Sequence, residues 1–303
     1  MILKELESIE LPDQFDQHIE KGRVLILDAD SLAYKVSATV KKLPTAVNRF
    51  KLGVEEMRFL TGSETVLAHL THDDCLKAGR GKILGVKPYQ GNRKGNEKPE
   101  LLHLTREAVS RSENILPEHQ VKLHMELEAD DVCMIDSYRL KERGVLTSPD
   151  KDLRQTPYKF YDDYLGKIIQ ADGIGHLWEH VTEGGSVSVH GIGRIFFWAQ
   201  MMMGDTADNV GGLQYFKGSR IGVVRTLEHL EQFNYDDKED RLANFVIDAY
   251  REIDQNPIPE GYMLHMMRDW GDSFWHVCKE IEWSDENRKF LLDCVKREWY
   301  IKE

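Results

Sequence analysis

Arg23-Val-Leu-Ile-Leu-Asp-Ala-Asp30 opens with a continuous apolar run of strand length that stops at acidic residues. A strand with one wet face alternates apolar and polar residues, so an unbroken run indicates a strand buried on both faces, as in a parallel sheet, with its carboxylates at the carboxyl end. Ser31 to Val40 can follow as a helix and Ala46 to Leu60 as a second, and Thr61-Gly-Ser63 turns the chain into another strand, Thr65 to Leu70. This alternation is the βαβ signature of an α/β fold with a central, mostly parallel twisted sheet flanked by helices.

Working outward, Thr71 to Asn96 is rich in glycine and basic residues and lacks periodicity, which predicts a long functional loop or helical arch crossing the sheet's carboxyl edge. Helices are predicted at Leu101 to Ser112 and from Glu128 toward Arg143, the latter feeding the strand Gly144 to Thr147. Tyr158 to Tyr161 and Lys167 to Gln170 read as a strand pair about Gly166. His190 to Met203 reads as a buried helix stopped by Gly204. Gly211, Gly212, Gly218 and Gly222 then punctuate a turn-rich stretch before an amphipathic helix, Val223 to Phe233. The acidic stretch Asp236 to Asp240 reads as a linker into C-terminal helices that carry Trp270, Trp275, Trp283 and Trp299.

A chain of 303 residues can bury roughly three quarters of its unfolded surface. Its 41% hydrophobic and 30% charged residues exclude a disordered or fibrous chain, and it has no apolar run of membrane-spanning length. Lys4, Glu5 and Glu7 interrupt the apolar residues before Pro12, so no signal peptide is expected and a cytoplasmic location follows. Cys75, Cys133, Cys278 and Cys294 are too dispersed for a zinc ribbon or disulfide scaffold. The net charge of −12 disfavours a polyanionic partner in bulk, yet between Lys77 and Lys98 seven basic residues stand against one acidic residue, Glu97.

Eight carboxylates fall into four groups: Asp28; Glu128, Asp130 and Asp131; Asp150 and Asp152; Asp205 and Asp208. Each group alone has a plainer reading. Asp30 after Asp28 can cap a helix, Glu128 to Asp131 can complement a helix dipole, Ser148-Pro-Asp can be a turn, and Asp205 can be an N-cap. Their coincidence at the carboxyl ends of predicted parallel strands is what favours one shared site, where α/β proteins place their chemistry. Carboxylates gathered in a core repel one another and call for hard cations such as Mg²⁺, and the chemistry this suggests is phosphoryl transfer to water.

In order along the chain, Leu27-Asp-Ala-Asp30, Tyr89-Gln-Gly-Asn-Arg-Lys94, Leu127-Glu-Ala-Asp-Asp131, Ser148-Pro-Asp-Lys-Asp152 and Met203-Gly-Asp-Thr-Ala-Asp-Asn209 resemble the motifs of the 5′-nuclease superfamily, the PIN-like flap endonucleases and bacteriophage 5′-3′ exonucleases. The stand-alone exonucleases of T7-like phages are the nearest in form, and the resemblance spans about Arg23 to Phe233. It implies two Mg²⁺ ions, replaceable by Mn²⁺. One would be held by Asp28, Asp130 and Glu128, the last directly or through water; the other by Asp150 and Asp152, supported by Asp205, Asp208 and Asp131. Asp73, rather than Asp74, would be the family's second-strand aspartate.

The resemblance further implies that Arg93 and Lys94 act on the scissile phosphate, with Lys77, Arg80, Lys82, Lys87 and Gln90 nearby and Tyr89 able to stack on a terminal base. Lys217-Gly-Ser-Arg-Ile-Gly-Val-Val-Arg225 resembles a helix-hairpin-helix segment, in which Lys217, Gly218, Arg220, Gly222 and Arg225 would meet duplex phosphates around a bound K⁺. The expected organisation is an extension at 1–22, a catalytic core at 23–203, a DNA-binding segment at 204–235 and a helical region at 236–303. The expected partners are DNA ends, nicks, gaps or flaps, and an RNA–DNA hybrid for an RNase H-like activity; nothing points to a membrane or names a protein partner. A phage-encoded enzyme would act in the host cytoplasm.

Two departures stand out. Gln90 replaces the family's lysine, and Arg220 stands where the hairpin's first glycine is usual, after an extra stretch from Gly211 to Phe216. A haloacid-dehalogenase-like phosphatase, with Asp28 as nucleophile and Asp30 as acid/base, leaves Tyr89 to Lys94 and Leu127 to Asp131 unexplained. A decayed DNA-end-binding protein fits Gln90 but not the retained carboxylates, and an RNA-directed enzyme of the same class is disfavoured by the hairpin segment.

Overall fold

The structure is a computed structural model that describes residues 19–93, 95, 97–111, 119–181 and 185–301. Strand β1 (Glu20–Asp28) is followed by helices α1 (Asp30–Thr39) and α2 (Leu43–Leu60), strand β2 (Ser63–Thr71), helix α3 (Leu102–Val109), strand β3 (His119–His124), helix α4 (Ala129–Leu140) and strand β4 (Gly144–Thr147). Strands β5 (Phe160–Asp162) and β6 (Lys167–Ile169) complete a six-stranded sheet of order β3-β2-β1-β4-β5-β6, parallel except where β6 runs antiparallel to β5.

The apolar run of β1 is buried on both faces. Leu25 and Leu27 pack with Ala33, Phe50 and Val54 of α1 and α2, whereas Ile26 packs with Met134, Leu146 and Phe160 on the α4 side. Each such side chain contributes roughly 1.5–3 kcal/mol on burial, which fixes the register, since a one-residue slip would exchange the two faces. Because β2 and β4 flank β1 on opposite sides, the strand order reverses at β1 and opens a crevice beyond the carboxyl ends of β1 and β4.

The rest of the chain forms a second body of core. The antiparallel hairpin β7 (His176–Val181) and β8 (Val187–Ile192) leads into α5 (Arg194–Met203), then α6 (Val223–Leu230), α7 (Asp240–Glu252), α8 (Ile258–Leu264), α9 (Phe274–Glu280) and α10 (Asp285–Lys296). Helix α5 is apolar nearly all round and correspondingly enclosed, with Phe196, Phe197 and Trp198 packed against Tyr250 and Phe274. This core continues from α5 through α10 across Asp236 to Asp240, so that acidic stretch is no boundary between separate cores.

Two expectations need correction. The helix predicted from His190 begins only at Arg194, because the residues before it complete β8. Gly193 sits at φ 91° with its backbone against Ile174, where a Cβ would lie 2.6 Å from the Ile174 carbonyl oxygen, and the helix can start only after it. Among its described residues the arch contains short 3₁₀ turns, Lys77–Lys82 and Gly91–Arg93, and no longer helix, and it is tied down through Arg80 to Asp131 and Arg93 to Asp208.

Candidate metal centre

The crevice at the strand-order reversal is lined by carboxylates from three elements. Asp28 is the last residue of β1, Asp150 follows β4, and Asp130 sits in the first turn of α4. With Asp30, Glu128, Asp208, Ser31, Thr71, Gln90 and Arg93 they enclose a cavity of about 150 Å³. The loop bearing Asp208 is shaped by Gly204 at φ 74°, where a Cβ would lie 2.5 Å from the Val210 carbonyl oxygen, and is closed by an Asp205–Val210 bridge.

Asp28, Asp130 and Asp150 have no basic partner among the described residues. Asp28 accepts from the Ser148 hydroxyl at 2.7 Å and the Asp30 amide at 3.2 Å. Burial, then the charge of Asp30, still raises its pKa to about 7. Asp130 accepts from the Asp131 amide at 2.6 Å, and burial together with Glu128 and Asp131 holds its pKa well above the carboxylate range. Asp150 accepts from the Asp152 amide at 3.0 Å.

The remaining carboxylates are answered by cations of the chain. Arg80, 3% exposed, pairs with fully buried Asp131 through two bonds of 2.6 and 2.7 Å, and donates to the His265 carbonyl at 3.1 Å. Asp131 is thereby turned from the cavity, and Arg80 is a structural cation instead of a surface group for nucleic acid. Lys151 bridges Asp152, at 2.9 Å, and Asp205, and Gln200 donates to Asp152 at 2.6 Å. Burial would raise Asp205, but Lys151 outweighs it and the pKa is lowered; Asp152, more deeply buried and beside Asp150, is raised.

The basic segment covers the cluster from the other side. Lys77 pairs with Glu128 at 3.0 Å and meets Gln90, whose amide lies 3.4 Å from Glu128 and 3.2 Å from Asp208. The Tyr89 hydroxyl lies 2.9 Å from Glu128 and 3.1 Å from Asp208, so this ring fastens the segment down and is not free to stack on a base. Arg93 donates to Asp208 at 2.6 Å while remaining half exposed. Burial would raise Glu128, but Arg80 and Lys77 lower it; burial raises Asp208 despite Arg93. Lys94 lies outside the described residues.

Asp73 is not brought to the cavity. It pairs with Lys98 at 2.7 Å, His103 at 3.1 Å and Arg106 at 3.3 Å, because β2 runs on through Thr71 and carries Asp73 beyond the edge. Asp30 lines the cavity instead, held by the Thr71 amide at 3.1 Å and by Arg106 at 2.7 Å. The sequence reads Asp30 as a cap, but the N-cap is Ala29 and Asp30 is the helix's first residue; the Asp-x-Asp spacing was the available signal. Lys151, inside the Asp-Lys-Asp turn, and Gln200, mid-helix in α5, carried no readable signal.

Downstream, Phe216 to Ser219 forms a tight turn, with Lys217 at φ 48° and Gly218 at φ 74°. Lys217, Gly218, Arg220 and Gly222 are exposed, as is Lys87, and Arg225 is half-buried. The Arg225 guanidinium lies 3.3 Å from the Arg220 carbonyl and 3.5 Å from that of Phe216. A cation of the protein thus already faces both carbonyl oxygens.

The cavity does fit a hard divalent cation. Its lining offers carboxylate oxygens, of which those of Asp28 and Asp130 are pushed toward protonation by burial and by neighbouring carboxylates.

No protein-family model matches the chain, and no curated protein matches it. Among solved structures, the chain is similar to a bacteriophage T5 protein co-crystallised with metal ions, at 14% identity, with 90% of this chain and 98% of that chain covered and a TM-score of 0.48. It is also similar to a bacteriophage T5 flap endonuclease variant in a pseudo-enzyme–product complex with DNA and metal ions, at 16% identity, 90% and 98% coverage and a TM-score of 0.46. A variant T5 5′-exonuclease matches at 15% identity, the same coverage and a TM-score of 0.42. No helix among the described residues is long and apolar enough to cross a membrane.

Proposed function

We propose that the protein is a Mg²⁺-dependent nuclease hydrolysing phosphodiester bonds from DNA 5′ ends, with flap or RNase H-like cleavage as a further capacity of the same site. The observation that supports this reading most is the trio Asp28, Asp130 and Asp150, converging without a basic partner where the strand order reverses. Mn²⁺ would serve in place of Mg²⁺. Bound there, such an ion supplies Lewis-acid activation of water and phosphate.

The chain's own groups supply the rest. Asp28, Asp130 and Asp150, with Glu128 and Asp208 beside them, hold the cation-binding charge in a fixed place. Arg93, half exposed at the rim, can leave Asp208 for a substrate phosphate oxygen, and Gln90 can donate a neutral hydrogen bond where the family has a lysine. Lys87, Lys217, Arg220 and the backbone at Gly218 and Gly222 offer phosphate contacts that carry no sequence information. On this reading residues 23–203 cut, 204–235 hold duplex DNA and 236–303 pack the core. The 5′ polarity rests on the motif resemblance.

A duplex labelled separately at its 5′ and 3′ ends tests the proposal, incubated with Mg²⁺ or EDTA. Early Mg²⁺-dependent release of the 5′ label as 5′-phosphorylated fragments is expected, and Asp130→Asn should release none. Loss of the 3′ label first would overturn the polarity; tight DNA binding without any cut would overturn the nuclease reading.

A further inference from the structure

A second group of metal-ligating side chains lies outside the carboxylate cavity, and we propose that His72, His103 and Glu107 form a site for a borderline divalent ion of the Zn²⁺ kind. One ligand atom from each of the three lies within 4.8 Å of the others. His103 and Glu107 are four residues apart on α3 and so share a helical face, with His103 Nε2 3.4 Å from Glu107 Oε1. A tetrahedral ion with ligands about 2.0–2.2 Å away spaces its donor atoms roughly 3.4 Å apart, so this pair already has the required separation. His72, within 4.8 Å of both, needs to close by at most about 1.4 Å.

The donors sit on anchored elements. His72 follows β2 directly, and its amide donates to the His124 carbonyl at the end of β3 at 2.8 Å. Helix α3 is seated by buried Leu102 and Val109 and by a buried hydrogen bond between Ser37 and Thr105. The imidazoles of His72 and His103 meet edge to face, 6.0 Å between centroids.

Asp73 gives the second, independent indication. Its Oδ2 lies 3.1 Å from His103 Nδ1, so that with an ion on Nε2 the remaining ring proton would sit on Nδ1 and bond Asp73. A carboxylate behind a ligating histidine is the usual means of fixing tautomer and ring orientation at a metal. The nearby cations do not oppose binding, because Lys98 and Arg106 are both paired with Asp73. His72 Nδ1 accepts from the Asp74 amide at 3.1 Å, and that exposed bond can be exchanged for a metal bond. Two imidazoles and one carboxylate select Zn²⁺ over Mg²⁺, which prefers oxygen and octahedral geometry. The ion would clasp the two feet of the basic segment: His72 where the chain leaves β2, and α3 where it returns.

The site does not depend on the nuclease reading, and its test is binding. The full chain, stripped with EDTA and held in millimolar Mg²⁺ to fill the carboxylate cavity, is titrated with Zn²⁺ by calorimetry, with Co²⁺ as an optical probe of tetrahedral ligation. One Zn²⁺ equivalent of micromolar affinity is expected. It should vanish in His103→Ala and Glu107→Gln, weaken about 10–100-fold in Asp73→Asn, and persist in Asp130→Asn. His103 is exposed, so His103→Ala should unfold at the wild-type temperature in EDTA. No Zn²⁺ uptake above the Mg²⁺-filled state, or unchanged affinity in His103→Ala, would overturn the clasp.

Discussion

Two sets of neighbouring carboxylates are treated in opposite ways by the same fold. Asp131 and the pair Asp152 and Asp205 are buried against cations of the chain, Arg80 and Lys151, while Asp28, Asp130 and Asp150 line one cavity with no such partner among the described residues. The first set is answered within the protein and contributes to holding it together. In the second, burial and neighbouring carboxylates raise the pKa of Asp28 and Asp130, which costs stability and leaves a demand that an added ion can meet.

The sharpest way to break this contrast is to neutralise one member of the second set. Asp130→Asn should lower cleavage by at least about a thousandfold, about 4 kcal/mol of transition-state stabilisation. Because the same change removes a buried, repelled carboxylate, it should also stabilise the protein in EDTA, by about 1–3 kcal/mol in urea unfolding at pH 8. A destabilised variant would mean that Asp130 is structurally paired after all.

Removing a cation from the first set should do the reverse. Arg80→Ala strands Asp131 in the core and should cost about 3–5 kcal/mol of stability in EDTA, with any loss of activity following unfolding. The double variant Arg80→Met with Asp131→Leu should recover most of that loss, since an apolar pair of similar volume replaces the ion pair. No recovery would show that the backbone bonds the double variant also loses, Arg80 to the His265 carbonyl and the Met267 amide to Asp131, carry the effect.

Glu260 offers a third case, a buried carboxylate with neither cation partner nor cavity among the described residues. It accepts from the Val86 amide at 2.9 Å, and burial raises its pKa from the ordinary 4.5 to about 7. A raised folded pKa means that the protonated form suits the fold, so its stabilising contribution is full below about pH 4.5 and is lost as pH rises through about 7. Glu260→Gln should therefore match wild type at pH 4.5 and exceed it at pH 8, by up to about 3 kcal/mol in urea unfolding with EDTA. Equal stability at both pH values would remove the ionised Glu260 from the account.

The alternation of strands and helices was legible because β1 is apolar without a break and ends at Asp28. The acidic groups were legible for the same reason, each lying at the end of an element. Their division was not. Glu128-Ala-Asp-Asp131 reads as one group, yet Asp130 faces the cavity and Asp131 faces Arg80, a partner 51 residues earlier in the chain. Helical geometry separates adjacent side chains by about 100°, but which face meets a cation depends on where the basic segment folds, and that segment has no periodicity to read. Asp73 and Asp30 exchanged expected places because β2 runs one residue beyond the predicted Leu70, a boundary that propensity does not fix.

The finest test concerns the boundary between the two sets, which runs through the turn Asp150-Lys-Asp152. Asp150 faces the cavity, and one residue on, the Lys151 ammonium sits between Asp152 and Asp205, where burial that would lower its pKa is outweighed by the two carboxylates. If charge balance alone separates the sets, Lys151→Met should move Asp152 and Asp205 into the second. The variant should lose about 1–2 kcal/mol in EDTA, regain it as Mn²⁺ is added, and bind a further Mn²⁺ equivalent about tenfold more tightly than wild type, counted by the loss of the free-ion electron paramagnetic resonance signal. Gln200, which already donates to Asp152, would remain as the only neutral hold on that carboxylate's Oδ1 among the described residues. Unchanged Mn²⁺ stoichiometry would mean that Lys151 is not standing in for an ion, and that the geometry of the turn keeps Asp152 and Asp205 out of metal binding.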